Sequence, residues 1–203
     1  MKSLSEIDTV SKRASRAVGF SWGICEEVGK NIRLLELFGL KGIKNLISYY
    51  TEKKRSKFSN LNDIKKRNKS LKYDFCPIIA GVSFLDQADS LKSVGEIKIE
   101  KLAYPILFLP FISRASEVIG KKIILKFDKQ EFYLNLNQNI FSNILEDKMI
   151  KKTKLVSIRF IKNADSFSNR EWKHIYKLSE NIFVEENEDL KNKSAGAGLT
   201  DND

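Results

Sequence analysis

Four residues in the segment SWGICEEVGKNIR have the types and spacing expected of a binding site on one face of a helix. Trp22, Glu26, Gly29 and Arg33 follow each other at steps of four, three and four residues, which places them on the same helical face. An arginine can hold an anion through charge-assisted hydrogen bonds, and Glu26 or its neighbour Glu27 can exchange protons with a ligand. The spacing therefore predicts a pocket or contact surface on this helix.

The same face also fits a structural role. A glycine inside a helix lowers helix stability by about 1 kcal/mol relative to alanine, so Gly29 should have a compensating role. It can admit a second helix at close range, while Glu26 and Arg33 form an ion pair with each other. The sequence leaves both interpretations open.

The C-terminal segment SAGAGLTDND concentrates negative charge at the end of a basic chain. Asp201, Asp203 and the terminal carboxylate lie within three residues, and carboxylate oxygens suit Mg²⁺ or Ca²⁺. Three flexible anions make a weak site and there is no EF-hand loop, so we predict no metal site. We expect the tail either to complete the site near Trp22 or to dock on a basic surface.

The remaining candidates for chemistry are two cysteines, one histidine and one arginine. Cys25, Cys76 and His174 are too few for a zinc site with the usual ligand spacing. Cys76 has no evident activating cation and is expected in the core, and His174 is expected on a helix surface. Arg114 lies at the polar edge of an apolar helix, where it can reach a ligand or cap helix carbonyls. None of these residues points to a particular cofactor, so the sequence leaves open which cofactor, if any, the chain uses.

The formal net charge of +10 raises the question of nucleic-acid binding. Of the 36 basic residues, 28 are lysines and only 8 are arginines, although arginine makes most bidentate contacts to bases and phosphates. Residues 53–72 carry nine cations, but only Phe58 and Tyr73 are near enough to stack on bases. A solvated connection is therefore favoured over a nucleic-acid partner.

No segment of the sequence is predicted to enter a membrane. The first residues, MKSLSEIDTVSKR, are polar and lack the apolar stretch of a signal peptide. The longest apolar run, residues 102–112, is about half the roughly 20 residues that span a bilayer, and two prolines interrupt it. The sequence therefore predicts a cytoplasmic protein.

Periodicity and turn residues predict an α+β fold, with a helical N-terminal third followed by a mostly antiparallel sheet of about four or five strands with packed helices. Ser3 and Glu6 form a capping-box pattern before the first helix. Helices are predicted at 4–17, 21–38 and 41–50, at 104–120 with a kink or restart at Pro110, and after Ser168. Strands are predicted at 76–84, at 96–100, in a hairpin at 121–137 with a loop a little longer than two residues, and at 154–162.

These elements are expected to form one α+β domain over residues 1–183. It would consist of a helical part (1–50), a basic, exposed connection (51–74) and a part with the sheet and further helices (75–183). Residues 184–203 would form an acidic tail rich in Gly, Ala and Asp.

Several segments carry a resemblance that spans most of the chain. They are SLSEIDTVSKRASRAVGFSWGICEEVGKNIR with GLKGI, then CPIIAGVSFLDQA, YPILFLPFISRAS and GAGLTDND. They resemble an uncharacterised proteobacterial family known only as a domain of unknown function. The resemblance implies no activity. It implies that the helix with Trp22, Glu26, Glu27 and Arg33 and the C-terminal tail are family signatures.

Two functions of different classes are favoured about equally. The first is a small-molecule-binding protein or minor metabolic enzyme whose site joins helix 21–38 to Asp201 and Asp203 in the tail. The second is a non-catalytic interaction subunit, in which the Trp22 face and the tail contact another copy of the chain or a partner protein. Nucleic-acid binding through 53–72 is the third and weakest. Whether the chain is an enzyme is left open.

Overall fold

A computed structural model describes residues 2–143, 149–162 and 164–182. The chain divides into two compact units, one within residues 1–163 and one within 164–203. We describe each unit by itself. Asp201 and Asp203, and with them the predicted acidic tail, lie outside the described residues.

The first unit begins with the three helices that the sequence predicts. Ser3 Oγ accepts a hydrogen bond from the backbone N–H of Glu6 at 3.1 Å and so caps the first helix. Gly39 follows the second helix with φ of 68°, the left-handed conformation that ends many helices. The helices are α1 (Leu4–Ala17), α2 (Trp22–Leu37) and α3 (Gly42–Lys53).

Residues 76–84 were predicted to form a strand, and this prediction is wrong. They belong to helix α4 (Pro77–Asp86). Pro77 occupies the first turn, where its missing N–H costs nothing, and Cys76 Sγ accepts a hydrogen bond from the N–H of Ile79 at 3.4 Å. The segment is apolar throughout because helix α4 is buried on most of its surface, including Ile78 and Phe84.

Within residues 2–143 and 149–162, six strands form one mixed sheet in the order β1-β2-β6-β3-β4-β5. Strand β1 runs parallel to β2, and all other neighbouring pairs are antiparallel. The predicted hairpin is confirmed, with a two-residue loop at 128–129 that is shorter than we expected. The strands are β1 (Arg67–Asn68), β2 (Glu96–Ala103), β3 (Ile123–Phe127), β4 (Gln130–Leu134), β5 (Ile140–Ser142) and β6 (Lys152–Phe160).

Helix α5 (Pro105–Ile119) lies at the centre of this unit. It contacts strands β3, β4 and β6 on one side and helices α2, α3 and α4 on the other. The helix continues through Pro110, where a kink or restart was predicted. Most of its apolar side chains are buried, Val118 near its end being an exception, which explains why it shows no single apolar stripe.

The basic segment 51–74 is less exposed than the sequence suggested. Leu61 and Ile64 are buried and belong to the core. Asn68 in strand β1 is also buried, and its amide donates hydrogen bonds to the carbonyl oxygens of Lys65 and Lys98, at 2.6 and 3.1 Å. The segment that carries these lysines and arginines is therefore anchored to the domain. This anchoring fixes the part of the surface on which their side chains begin.

The described part of the second unit contains one helix, α6 (Asn169–Glu180). Ser168 and Glu171 form a complete capping box at its start. This confirms the predicted helix start at Ser168. His174 is exposed on this helix. Over the described residues of both units, no helix is long and apolar enough to cross a lipid bilayer.

Candidate functional site

The predicted site face on helix α2 is divided between solvent and a helix contact. Trp22 is 59% exposed, and the guanidinium carbon of Arg16 lies 5.5 Å from its ring centroid. Glu26 and Arg33 are both exposed, and within the described residues no ion pair joins them. The ligand-binding and proton-transfer roles predicted for these three residues stay predictions.

Gly29 has a structural role in the contact between α1 and α2. A Cβ atom at this position would lie 2.6 Å from Asp8 Oδ1 and 2.9 Å from the backbone oxygen of the same residue. Only glycine lets the two helices approach this closely. Gly29 therefore admits a second helix, as the structural interpretation of this face proposed.

Glu27 and Arg114 are brought together although 87 residues separate them in sequence. Arg114 Nη1 donates hydrogen bonds to Glu27 Oε2 and, at 3.2 Å, to Oδ1 of the buried Asn31. Lys30 contacts the other carboxylate oxygen of Glu27 at 2.8 Å. This network joins α2 to the central helix α5, so Glu27 and Arg114 already have partners within the fold.

Burial acts to raise the pKa of the Glu27 carboxyl, but the hydrogen bonds and charges of Arg114 and Lys30 outweigh it and hold that pKa below its ordinary value. A carboxyl with a lowered pKa stays ionised at neutral pH and is a poor proton acceptor. The geometry thus gives Glu27 and Arg114 a structural role, and their predicted catalytic and ligand-binding roles have no further support.

A concave feature of the described residues lies elsewhere, where α2 begins and α3 ends. This cleft has a volume of about 570 Å³, and we call it the aromatic cleft. It is lined by Gly19, Phe20, Ser21, Ile24, Tyr49, Lys53, Ser56, Lys57, Phe58, Asn60, Tyr73, Cys76 and Ile79.

Aromatic rings form much of the wall of the aromatic cleft. The ring centroids of Tyr49 and Phe58 are 5.2 Å apart, with a tilted geometry. The ammonium group of Lys53 lies 5.1 Å from the centroid of Phe20, which holds its charge at the wall of the cleft. Lys57 supplies a second positive charge, and among the described residues no carboxylate lines this cleft. The site combines flat apolar surface with uncompensated positive charge.

Two titratable groups, Tyr49 and Cys76, meet at the wall of the cleft. The Tyr49 hydroxyl and Cys76 Sγ are 2.9 Å apart and hydrogen-bonded. Burial raises the pKa of the Cys76 thiol, despite the opposing effect of that hydrogen bond, and burial also raises the pKa of Tyr49. Both groups are neutral at pH 7, so Cys76 is not an activated nucleophile. This agrees with its expected place in the core.

A second cleft adjoins the first and has a different character. Its volume is about 560 Å³, and we call it the polar cleft. It shares Ser56, Lys57, Phe58 and Tyr73 with the aromatic cleft. Its other lining residues are Glu52, Arg55, Lys72, Asp74 and Lys152.

Lys152 links the two carboxylates of the polar cleft. Its Nζ lies 3.1 Å from Asp74 Oδ2 and 3.5 Å from Glu52 Oε1. The hydrogen bond to Asp74 is the main cause of a raised pKa at Lys152, so this lysine stays protonated. The hydroxyl of Tyr104 donates to the other oxygen of Glu52 at 2.9 Å. Both carboxylates are therefore compensated by the protein itself.

Tyr104 anchors this arrangement from an uncommon backbone conformation. It is fully buried and has φ of 41° and ψ of 61°, a left-handed conformation that is unfavourable for a residue with a Cβ atom. Such residues persist where the surrounding structure holds them, and they are found often at functional sites. Here the conformation joins the end of β2 to the start of α5, beside the polar cleft.

The described residues contain no group of three or more His, Cys, Asp or Glu side chains that could hold a metal ion. Asp201 and Asp203 lie outside the part of the chain described, so the structure neither joins them to helix α2 nor separates them from it. Their predicted ligand-binding role stays a prediction.

Comparison with known protein families identifies one segment of the chain. Residues 2–73 match the family described as Protein of unknown function (DUF3726). The predicted resemblance to a family of unknown function is confirmed for this segment, which spans α1 to α3 and the basic segment. The quoted segments beyond residue 73 lie outside the DUF3726 match, and the proteobacterial origin stays a prediction. No match was found among curated proteins or among solved structures.

The DUF3726 segment supplies nearly the whole aromatic cleft. Of the lining residues, only Cys76 and Ile79 lie beyond residue 73. Sequence reasoning missed this cleft, because its residues come from separate helices and a loop. The available signals were Tyr49 beside Tyr50, and Phe58 within the basic run. These aromatic residues could be recognised as apolar anchors within the segment, but the sequence does not show that they face one cavity.

Proposed function

We propose that this chain binds a small organic anion that has a flat apolar part, and that it does so in the aromatic cleft. The observation that carries the proposal is the composition of the lining: four aromatic rings and two lysines, with no carboxylate from the part of the chain that the structure describes. Aromatic faces favour planar apolar groups, and unpaired lysines favour anions. A cationic ligand would have no countercharge in this cleft.

The size of the cleft also suits a small molecule. Sites for metabolites and cofactors commonly have volumes of about 300–1,000 Å³ and combine apolar walls with a few polar groups. The aromatic cleft, at about 570 Å³, lies within this range. A molecule with one or two fused rings and one charged group would occupy it.

The start of helix α2 adds favourable electrostatics at the same place. Ser21 is the N-cap residue and lines the cleft, but its side chain makes no capping hydrogen bond. The first N–H groups of a helix lack partners within the helix and carry partial positive charge. The charge at this end of the cleft therefore has the same sign as that of Lys53 and Lys57.

This proposal retains small-molecule binding as predicted from the sequence but moves the site. Helix α2 contributes Ser21 and Ile24, from its first turn, in place of the face with Glu26 and Arg33. The proposal is for binding alone, since Cys76 and Tyr49 are neutral and no described carboxylate lines the cleft to act as a base. The interaction-subunit hypothesis rests on the exposed Trp22 and on a tail outside the described residues.

Titration calorimetry with 1-naphthyl phosphate tests the proposal, with the neutral analogue 1-naphthol as the matched ligand control. We expect saturable binding of the phosphate and binding at least tenfold weaker for the naphthol. The double variant Lys53→Met/Lys57→Met should raise the dissociation constant of the phosphate by about tenfold or more, because two charge-assisted contacts are lost.

The matched protein control is Lys122→Met/Lys162→Met, which removes the same charge at two exposed lysines that do not line the cleft. It should bind 1-naphthyl phosphate within about twofold of the wild type. No binding by the wild type, or equal weakening by both double variants, would refute a specific anion site.

A further inference from the structure

The polar cleft has positive charge that the protein leaves uncompensated. Its lining has four cationic side chains, Arg55, Lys57, Lys72 and Lys152, and two carboxylates, Glu52 and Asp74. Lys152 bridges both carboxylates, at 3.5 and 3.1 Å. Within the described residues, the other three cations have no ion pair with a carboxylate. The cleft therefore carries a net charge of two positive units (four minus two).

The two clefts form one continuous depression, because Ser56, Lys57, Phe58 and Tyr73 line both of them. Lys57 is the cation common to the two. A ligand whose ring lies against the aromatic wall and whose first anionic group reaches Lys57 has its next atoms at the entrance of the polar cleft. The cations beyond that point are Arg55 and Lys72.

These two cations are held differently from ordinary surface lysines. Lys72 Nζ lies 5.2 Å from the ring centroid of Tyr73, whose ring is part of the shared wall. Arg55 lies one residue beyond Lys54, the C-cap of helix α3, and its backbone N–H donates a hydrogen bond to the carbonyl oxygen of Glu52 at 2.9 Å. Since Glu52 is itself fixed by Tyr104 and Lys152, the start of the Arg55 side chain is positioned relative to the cleft.

From these observations we infer that the ligand is an aryl or heteroaryl compound with an extended phosphate chain: its ring fills the aromatic cleft and its second phosphate enters the polar cleft, where Arg55 and Lys72 bind it. The inference rests on the proposed function and deepens it, because it names the ligand class. A guanidinium group matches phosphate oxygens in pairs, and a lysine adds a point charge. A ligand with a single carboxylate in place of the phosphate chain would bind in the aromatic cleft but would leave the polar cleft unfilled.

The test compares 1-naphthyl phosphate with 1-naphthyl diphosphate by calorimetry on the full chain. For the wild type, we expect the diphosphate to bind about tenfold more tightly than the monophosphate. The gain should shrink as the ionic strength rises, because exposed charges are screened by salt.

The double variant Arg55→Met/Lys72→Met should abolish this gain and bind the two ligands within about twofold of each other. Its affinity for the monophosphate should stay within about twofold of the wild type, since neither residue lines the aromatic cleft. The charge-matched control Lys122→Met/Lys162→Met should keep the full gain.

The outcomes separate the two proposals. If the wild type binds both ligands equally, or if Arg55→Met/Lys72→Met keeps the gain, the second phosphate does not use the polar cleft and this inference is wrong, while the aromatic cleft stands. If neither ligand binds the wild type, the proposed function itself fails.

Discussion

Replacing Gly81 with alanine should lower the free energy of unfolding by about 2 kcal/mol. A Cβ atom at Gly81 in helix α4 would overlap the ring of Phe111 in helix α5, which is 1% exposed and packed in the core. Overpacking of this kind costs about 1–3 kcal/mol or more, and the better helix propensity of alanine recovers about 1 kcal/mol of it. Because the overlap involves several atoms of a buried ring, the steric cost should dominate.

Gly23→Ala is the matched control, since Gly23 also lies in a helix but a Cβ atom there would meet nothing within 4 Å. This variant should keep or increase stability, by up to about 1 kcal/mol. Urea unfolding followed by circular dichroism measures both. A Gly81→Ala protein as stable as the wild type would show that α4 and α5 do not pack as described.

Replacing Arg114 with methionine should destabilise the protein by about 2–3 kcal/mol at neutral pH. The change leaves the carboxylate of Glu27 with Lys30 alone and removes a donor from the buried Oδ1 of Asn31. Arg114 and Glu27 side chains are 19% and 21% exposed, so solvent compensates the loss only in part. Arg33→Met, an exposed arginine on the same helix as Glu27, should change stability by less than about 0.5 kcal/mol.

The effect of Arg114→Met should also depend on pH. The folded-state pKa of Glu27 is lowered, so its ionised form contributes stability that is fully present above the unfolded pKa of about 4.3 and is lost as the pH falls through the folded pKa. The stability difference between wild type and Arg114→Met should therefore be largest near neutral pH and shrink below about pH 4. A difference that is constant from pH 7 to pH 3 would contradict an ionic role for the pair.

Local signals in the sequence predicted much of the fold. Helix α1 was predicted at 4–17 and is found at Leu4–Ala17, because Ser3 and Glu6 fix its start and the apolar spacing continues to its end. The start of α6 followed from Ser168 in the same way. The hairpin of β3 and β4 followed from alternation on both sides of a polar turn.

The error at 76–84 has a physical cause. A continuous apolar run has no periodicity, so a fully buried strand and a fully buried helix look alike in sequence. Two features decide for the helix: Pro77 in the first turn after the cap at Cys76, and Gly81, which gives room for Phe111 from another helix. The second is a tertiary contact and cannot be identified from local sequence.

The candidate site was predicted elsewhere. The sequence hypothesis joined the face of helix 21–38 with Trp22 and Arg33 to the C-terminal tail, whereas the proposed cleft takes only Ser21 and Ile24 from the start of α2. Small-molecule binding itself stays a prediction.

Glu27 and Arg114 were singled out separately, and their pairing across 87 residues gave them a structural role. Lys53 and Lys57 were counted within a solvated basic segment. Sequence alone could not show which of nine cations face a cavity, because Phe20 and Tyr49 reach that cavity from other elements.

Chemical-shift mapping tests the central claim, the location of the anion site, most directly. Uniformly ¹⁵N-labelled full-length chain would be titrated with 1-naphthyl phosphate while its backbone amide resonances are followed. The proposal predicts that the largest shift changes fall within residues 19–24, 49–60 and 73–79, around the aromatic cleft. Largest changes at the apolar groove between α1 and α3, around Val10 and Ile47, or on helix α6 would contradict it.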